Sequence, residues 1–466
     1  MIPIIQGMKN VAHTLVWCSV ILAGFVGRIE STERLRLSLS DAVSLAIRHN
    51  ETLLIALEDE KRASGVVKEA WAGALPNVAF QGTYQGNLKK PAFFAPEEFG
   101  GGKFEIGEDI EVLGNLRIDQ VLYAFGRVGN AVQYANIFKE MAAMGVGNAR
   151  SEVTFSAKEA YFRVLLMQHV VDIQRQFLNQ ARSHLADIEV KFSQGTTSRF
   201  TLLRAQVEVK NREPEVISAE NDLTLALQDL KRVLGLDDTA ECVLTDSLGY
   251  VPYDIREEVA INEALSHRPE IRTLELNVEG RKKILAIEKA GRLPLLGLYG
   301  QVLLQGQAGK EHPLDPFDKD HRAISASAGL SLSMPIFDGF RSKGKVQQAR
   351  ASLYRAEYEL QQARKAVRLE VTKAVQDLRS LRREYESQRA TVDLAQEAYT
   401  IAETRFLNGL STQLELTDAE TALHFARTNF AETLYRYNAA VANMERVLGR
   451  TARGSHDDAS DFLNSK

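Results

Sequence analysis

The chain has 466 residues, a quarter of them charged, and a formal net charge of −4 at pH 7. This near balance of charge, without a basic cluster, argues against a nucleic-acid partner. Only two cysteines are present, so neither a disulfide-rich scaffold nor a Cys-x-x-Cys metal site is expected. Proline is scarce, at 11 residues, and a composition rich in Ala, Leu, Glu, Arg and Gln favours long helices.

The first part of the chain, residues 1–27, resembles a secretory signal peptide. An apolar run from Val11 to Val26 lies between two basic residues, and a charged start with a short apolar core is typical of a segment that is removed after export. The alternative is a membrane anchor, which the shortness of the run disfavours. Lipid attachment at Cys18 is not expected either, because bulky residues precede it.

The next elements belong to a first unit of residues 37–236. Helical spacing of apolar residues predicts one continuous helix over residues 38–75, which Pro76 ends. Two alternating segments with a loop between them then predict a β-hairpin. Two helices follow, separated by a turn at Gly195. The predicted strands and the long helix lie at about residues 77–86, 111–123 and 128–194.

The same order of elements returns in residues 258–450, after a linker at 237–257. This unit begins with one helix over residues 258–293. In its long helix, apolar residues and alanines recur at alternating spacings of three and four, which is the pattern of a coiled coil. A polar tail at 451–466 follows. The predicted strands, the long helix and the coiled-coil positions are 295–306, 323–335, 342–408, and Val346, Ala349, Leu353, Ala356, Leu360, Ala363 and Val367.

An internal repeat explains this duplication. Residues 191–235 and 405–449 align without a gap, and both end in Arg-Val-Leu-Gly. We therefore interpret the chain as two tandem repeats, each with the order helix, β-hairpin, long helix, helix. Pro214 is the main departure, because it aligns with Thr428 and is expected to kink or interrupt its helix.

The length of the long helices excludes a compact globular domain. At ~1.5 Å per residue they extend ~100 Å, which suits a coiled coil, a fibre or a tube. The four strands of one chain would leave unpaired backbone groups at the sheet edges, which lipid does not tolerate. Strands from two chains (eight) or three chains (twelve) would close a barrel with lipid outside and water inside.

Taken together, these features resemble the outer membrane factors of the TolC type. The resemblance covers roughly residues 37–450 and implies a mainly α fold with a small β part. It further implies a homotrimeric 12-stranded β-barrel in the cell outer membrane, joined to a long α-helical barrel in the periplasm, with the linker at its equator. The matching motifs are His267-Arg268-Pro269-Glu270-Ile271, Phe337-Asp338-Gly339, Arg405-Phe406 with Gly409, and Arg446-Val447-Leu448-Gly449.

The resemblance also implies the function of an exit duct. Such a channel passes small molecules such as drugs, or secreted proteins, from an inner-membrane transporter of the RND, ABC or MFS type. A periplasmic adaptor (membrane fusion) protein connects the two, and the two helix–helix turns would be its docking tips. The implied docking residues are Phe192, Gly195, Thr196, Ser198, Phe406, Gly409, Leu410 and Thr412.

Two acidic residues after the second turn, Glu415 and Asp418, match positions that line the pore constriction in this family. Three chains would place six carboxylates around one axis, and such a ring attracts cations. The alternative is a solvated helix face. The first repeat has Thr201 and Arg204 at the aligned positions, and Arg204 is a candidate gate latch if it pairs with either acid.

Motifs for other functions are absent from the sequence. There is no His-Glu-x-x-His, no phosphate-binding Gly-rich loop and no Gly-x-Ser-x-Gly pattern, so we expect no enzyme activity, no metal site and no cofactor. The alternative to a duct is a periplasmic coiled-coil scaffold without a pore. The two alternating hairpins and the signal-like start disfavour that alternative. Drug efflux and type I protein secretion are not separable from these residues.

Overall fold

The computed structural model describes residues 35–90, 92–105, 108–309 and 322–450. These residues are mostly helical with a small sheet part, so the predicted mainly α fold is confirmed. The expected signal peptide (1–27) and the polar tail (451–466) lie outside the described residues.

The described elements fall into long helices and short strands. In chain order the helices are α1 (Leu39–His49), α2 (Glu51–Ala72), α3 (Arg127–Ser193), α4 (Arg199–Leu234), α5 (Glu257–His267), α6 (Pro269–Ala290), α7 (Arg341–Leu407) and α8 (Gln413–Val447). The strands are β1 (Leu35–Leu37), β2 (Asn77–Gly86), β3 (Ala92–Ala95), β4 (Gly102–Glu105), β5 (Ile110–Tyr123), β6 (Cys242–Leu244), β7 (Leu295–Ala308) and β8 (Arg322–Ser333). No helix within the described ranges combines the length and the apolar character needed to traverse a lipid bilayer.

The helices that precede the sheet strands are each broken in two, which the sequence analysis did not predict. Asn50 separates α1 from α2 with an extended backbone, and its side-chain oxygen accepts a hydrogen bond from the Thr52 N–H at 2.9 Å. Arg268 separates α5 from α6 because it precedes Pro269, and the residue before a proline avoids the α conformation. The prediction of a single continuous helix in each half is therefore wrong.

The main sheet joins the two halves of the chain. Its strands run antiparallel in the order β2-β5-β7-β8, and the central pair, β5 and β7, comes from different halves. A further hairpin of β3 and β4 occupies the segment predicted to be a loop. In addition, β1 pairs in parallel with β6 of the linker. The sequence analysis missed these short strands because three or four residues carry too little periodicity to be recognised.

The register gives the main sheet one apolar and one polar face. On the apolar face Phe80 lies opposite Leu116, which lies opposite Val302. On the polar face Arg117 lies opposite Gln301. Apolar side chains of the first face remain exposed, Phe80 at 73%, so the described part of one chain does not cover this face.

The helices pack side by side, four at each level. Near the sheet their order is α2, α3, α6, α7, and at the far ends of the long helices it is α4, α3, α8, α7. The shorter helices therefore stack along α3 and α7, which have 67 residues each. The coiled-coil positions predicted in α7 are buried or half-buried. Of the two predicted effects of Pro214, a kink or an interruption, the interruption is wrong: α4 continues through Pro214, which is on the exposed side.

The largest buried cluster lies near the middle of α3, where the linker crosses the helices. Tyr161 is fully buried there. Its hydroxyl is 3.0 Å from the Leu37 carbonyl oxygen and 2.9 Å from the Asp246 carboxylate. These contacts hold β1 and the linker against the helices. The cluster lies between the sheet end of the molecule and the end that carries the two turns.

Candidate functional site: the two helical tips

The turns between α3 and α4 and between α7 and α8 have the same backbone. Gly195 and Gly409 are left-handed, with φ of 73° and 71°. Each glycine N–H donates to a phenylalanine carbonyl, at 2.9 and 3.0 Å, and the following N–H donates further back into the helix. This pair of hydrogen bonds is a Schellman motif. A side chain at either position would meet no atom within 4 Å, so the backbone angle rather than space favours glycine.

A hydroxyl group caps the helix that follows each turn. The Ser198 Oγ accepts a hydrogen bond from the Thr201 N–H at 3.2 Å, and the Thr412 Oγ1 accepts one from the Glu415 N–H at 3.3 Å. Caps of this type satisfy N–H groups that have no partner within the helix. The Thr196 hydroxyl also donates to a carbonyl at the end of α3, at 2.8 Å. Both tips are therefore held by local hydrogen bonds.

The predicted docking residues differ in exposure between the two tips. Phe192 is 40% exposed and Leu410 is 70% exposed. Phe406, which aligns with Phe192, is only half-buried and has the Lys191 Nζ 5.3 Å from its ring centroid. Since Lys191 belongs to α3 and Phe406 to α7, this contact places the two tips at the same end of the molecule.

The predicted pore acids Glu415 and Asp418 both lie on the exposed side of α8. They are three residues apart, a spacing that places side chains on one helix face. Glu415 is also in the first turn of α8, where the helix dipole stabilises a carboxylate whatever its function. One chain thus presents two carboxylates on one surface, and their role at a constriction stays a prediction.

The candidate latch is not formed within one chain. No ion pair joins Arg204 to Glu415 or Asp418 in the part of the chain that the structure describes. The physical reason is the helix order, because α3 lies between α4, which carries Arg204, and α8, which carries the acids. A latch between neighbouring copies remains a prediction.

The sequence analysis missed a polar seam between α3 and α8. His184 Nε2 lies 3.0 Å from Glu420 Oε1, and Gln174 Oε1 lies 3.1 Å from His424 Nε2. Glu420 is only 6% exposed. One signal in the sequence points to it: Glu420 falls between two leucines at the helical spacing that buries a residue. The apolar residues that surround the seam are Ile173, Phe177, Tyr399, Leu416 and Leu423.

The two histidines of the seam have opposite electrostatic surroundings. The Glu420 carboxylate beside His184 raises the pKa of that imidazole above its ordinary value. Burial lowers the pKa of His424, and the positive charge of Arg212 acts in the same direction. An ordinary histidine has a pKa of ~6.5. Protonation of His184 therefore stabilises the contact between α3 and α8, whereas protonation of His424 weakens it.

The acidic and histidine side chains of the described residues are dispersed. Among the described residues, no group of three or more His, Cys, Asp or Glu side chains is placed to hold a metal ion. The polar contacts of the tips and the seam instead join helices to one another.

A two-faced sheet that continues into long paired helices defines the class of this protein. The chain matches the family described as outer membrane efflux protein over residues 42–236 and 260–450. It therefore belongs to that family, whose members are channel proteins. It is located in the cell outer membrane, with a large helical part in the periplasm, so the predicted family and location are confirmed.

Individual proteins show the same relationship. The chain is 23% identical to the alkaline protease secretion protein AprF of Pseudomonas aeruginosa, over 89% of this chain and 84% of AprF. It is 24% identical to the outer membrane protein OprJ of the same organism, over 87% and 83% of the two chains. The crystal structure of the CmeC outer membrane channel of Campylobacter jejuni matches with a TM-score of 0.77 at 16% identity, covering 91% of this chain and 88% of CmeC. The last similarity shows a shared fold.

Proposed function

We propose that this chain is the exit duct of a tripartite export system. The observation that carries the proposal is the continuity of a two-faced sheet with helices of ~100 Å. The apolar face suits contact with lipid and the polar face suits a water-filled interior. The helices then have the length to extend such an interior through the periplasm.

The two edges of one chain support closure into a ring. One edge consists of β2, α2 and α4, and the other of β8 and α7. Both edges carry apolar side chains that are more than half exposed, Phe200 and Val207 on α4 and Leu394 and Ile401 on α7. Head-to-tail contact between unlike edges closes a ring if the rotation fits. Closure also satisfies the sheet-edge N–H and C=O groups, which lipid cannot do.

The number of copies follows from the width that a duct needs. Two copies would give eight strands, and side chains alone fill a barrel of that size. Three copies would give a barrel of twelve strands and a ring of twelve helices at each level, which leaves room for a tunnel. We therefore propose a homotrimer, as the family resemblance implies.

Within this trimer the tips have two roles. Glu415 and Asp418 of each chain would face the axis and form the pore constriction. The exposed Phe192 and Leu410, held on rigid glycine turns, would contact the adaptor. Arg204 lies on the edge helix α4 and stays a candidate gate latch to an acid of the neighbouring copy, in which α7 lies between this edge and the acids of α8.

The proposed partners are a periplasmic adaptor and an inner-membrane transporter of the RND, ABC or MFS type. The duct itself would catalyse nothing and would need no cofactor. The name of AprF assigns that relative to protein secretion, which makes secreted proteins one candidate cargo, and small molecules such as drugs are the other. A periplasmic scaffold without a pore is not favoured, because it leaves the exposed apolar face of the sheet without a role.

Channel recording tests the proposal directly. Purified protein in planar lipid bilayers is expected to give discrete conductance steps. Phe80→Asp with Leu116→Asp charges the apolar face and should abolish insertion, because carboxylates on the lipid side are costly. Gln81→Asp with Asn115→Asp, a facing pair on the polar side, is the matched control and should still insert. A folded, inserted wild type without conductance would contradict the duct.

Crosslinking tests the ring. With Cys18 and Cys242 replaced by serine, Val207→Cys and Ile401→Cys in one chain should form disulfides between copies and give covalent trimers. Leu369→Cys replaces Ile401→Cys in the control, since Leu369 is also exposed on α7 but lies ~48 Å further along the helix. Dimers as the largest product, or equal crosslinking in the control, would contradict the proposed interface.

A further inference from the structure

We propose that His184 and Glu420 form a protonation-dependent clasp between the two tip hairpins, so that acidic conditions hold the tip closed and neutral to alkaline conditions release it. The first tip hairpin is α3 with α4 and the second is α7 with α8. The clasp deepens the exit-duct proposal and rests on it, because it regulates the periplasmic mouth of the duct.

The position of the pair makes it a link between the hairpins. Within one chain, α3 and α8 form the main contact between the two hairpins, and His184 and Glu420 come from these two helices. Their side chains are only 15% and 8% exposed. Separation of the hairpins at the tip therefore requires this contact to break.

The geometry favours attraction between charges. His184 Nε2 and Glu420 Oε1 are 3.0 Å apart, yet the ring N–H does not point at the oxygen well enough for an aligned hydrogen bond. A neutral imidazole would leave the buried carboxylate among apolar side chains without a counter-charge, which is costly. A cavity of about 20 Å³ adjoins the pair, and that volume is about enough for a single water molecule.

Acidic groups on three helices reinforce the positive form of His184. Glu420 of α8 is nearest, and Glu403 of α7 and Asp187 of α3 act in the same direction. Glu208 of α4 lines the adjoining cavity, and its carboxylate is paired with the Arg212 guanidinium at 2.9 Å. The nearby cation Lys191 contacts the Phe406 ring. Acidic groups from three helices thus stabilise the imidazolium while the hairpins are together.

The direction of the pH effect follows from linkage. The pKa of His184 is raised while the hairpins are together, and it returns to its ordinary value when they separate. The clasp is therefore fully present below the ordinary pKa, near ~6.5, and is lost as the pH rises through the raised value. Each unit of difference between the two pKa values changes the closing equilibrium about tenfold.

His424 is a matched control in the same seam. It faces the neutral Gln174 rather than a carboxylate, and burial lowers the pKa of this imidazole. Removal of His424 therefore eliminates a seam histidine without removing a buried ion pair.

Conductance recorded as a function of pH tests the clasp. Between about pH 5.5 and 8, a range that brackets the ordinary histidine pKa, the open fraction of the wild type should rise with pH. His184→Gln and Glu420→Gln should each flatten this rise, and His424→Gln should keep it. Two different substitutions keep the test intact if either variant fails to fold. If the open fraction of both clasp variants rises with pH as steeply as that of the wild type, the proposal is overturned.

Hydrogen exchange of the detergent-solubilised protein separates the two proposals. After correction for the intrinsic pH dependence, amides of α3 and α8 near the tips should be better protected at acidic pH in the wild type and in His424→Gln. His184→Gln should lose that difference. An absence of conductance together with this protection pattern would contradict the duct and leave the clasp standing. If His184→Gln gains as much protection at acidic pH as the wild type does, the clasp is overturned.

Discussion

The two tip hairpins share one backbone but present different surfaces. Both turn at a left-handed glycine and restart at a hydroxyl cap. After the turn, Thr201 and Arg204 of the first hairpin are half-buried, whereas the aligned Glu415 and Asp418 of the second are exposed. The shared backbone depends on a few local hydrogen bonds, so the exposed residues are free to differ. The two turns thus share one frame and differ in the side chains that follow it.

The hairpins also differ in how they contribute to the seam that joins them. The first supplies His184 and Phe177, and the second supplies Glu420 and Leu423. Neither hairpin buries these groups alone. The seam therefore makes the two hairpins of one chain dependent on each other, and substitutions there are expected to affect both tips at once.

The largest expected effect is at the centre of the seam. Phe177 is 3% exposed, and replacement of a buried phenylalanine by alanine costs about 3–5 kcal/mol. Phe177→Ala should therefore accelerate hydrogen exchange in the halves of α3 and α8 that are nearest the tips. Phe192→Ala, at the exposed tip, is the control and should change exchange far less. Acceleration confined to α3 would show that the hairpins are independent.

A smaller effect is expected at the two glycines, and it should be of similar size at Gly195 and at Gly409. Alanine at Gly195 or Gly409 must adopt a left-handed conformation, which costs about 1–2 kcal/mol. Both variants should lower protection of the last turn of the preceding helix by similar amounts, measured by hydrogen exchange. A silent substitution at one tip alone would show that the two turns are not equivalent in solution.

The smallest expected effect concerns the acidic surface. Glu415→Ala with Asp418→Ala should reduce the preference for cations about fivefold, which corresponds to about 1 kcal/mol of electrostatic free energy. Reversal potentials in a salt gradient measure this preference. The aligned pair Thr201→Ala with Arg204→Ala serves as the control and should not reduce it. Unchanged selectivity in the acidic variant would leave these carboxylates as a solvated helix face.

Much of the fold was predictable because long elements carry a strong periodic signal. The predicted long helices at about 128–194 and 342–408 differ from α3 and α7 by one residue at each end. The strands of the main sheet were recognisable from alternation and from the proline that precedes each hairpin. The break at Asn50 was not, since a side-chain cap of one helix gives no periodic signal.

The residues of the candidate site likewise fall into those that the sequence predicted and those that only the structure brought together. The glycine turns were found because they recur at aligned positions of the two repeats, and the acids after the second turn because they match positions of the resembling family. The seam was not, because His184 and Glu420 are 236 positions apart in the sequence and only the packing of α3 on α8 brings them together. The absence of an Arg204 latch within one chain also depended on helix order, which local periodicity does not encode.

The sequence by itself determined the order of the long helices and of the main-sheet strands, the left-handed turns and the two faces of the sheet. These properties depend on side-chain spacing and on backbone angles that only a few residues adopt. The tertiary structure alone decided which strands become neighbours, which helices form the open edges and which charges meet in the buried seam. Those outcomes arise from contacts between distant segments, whose energies depend on three-dimensional packing and burial.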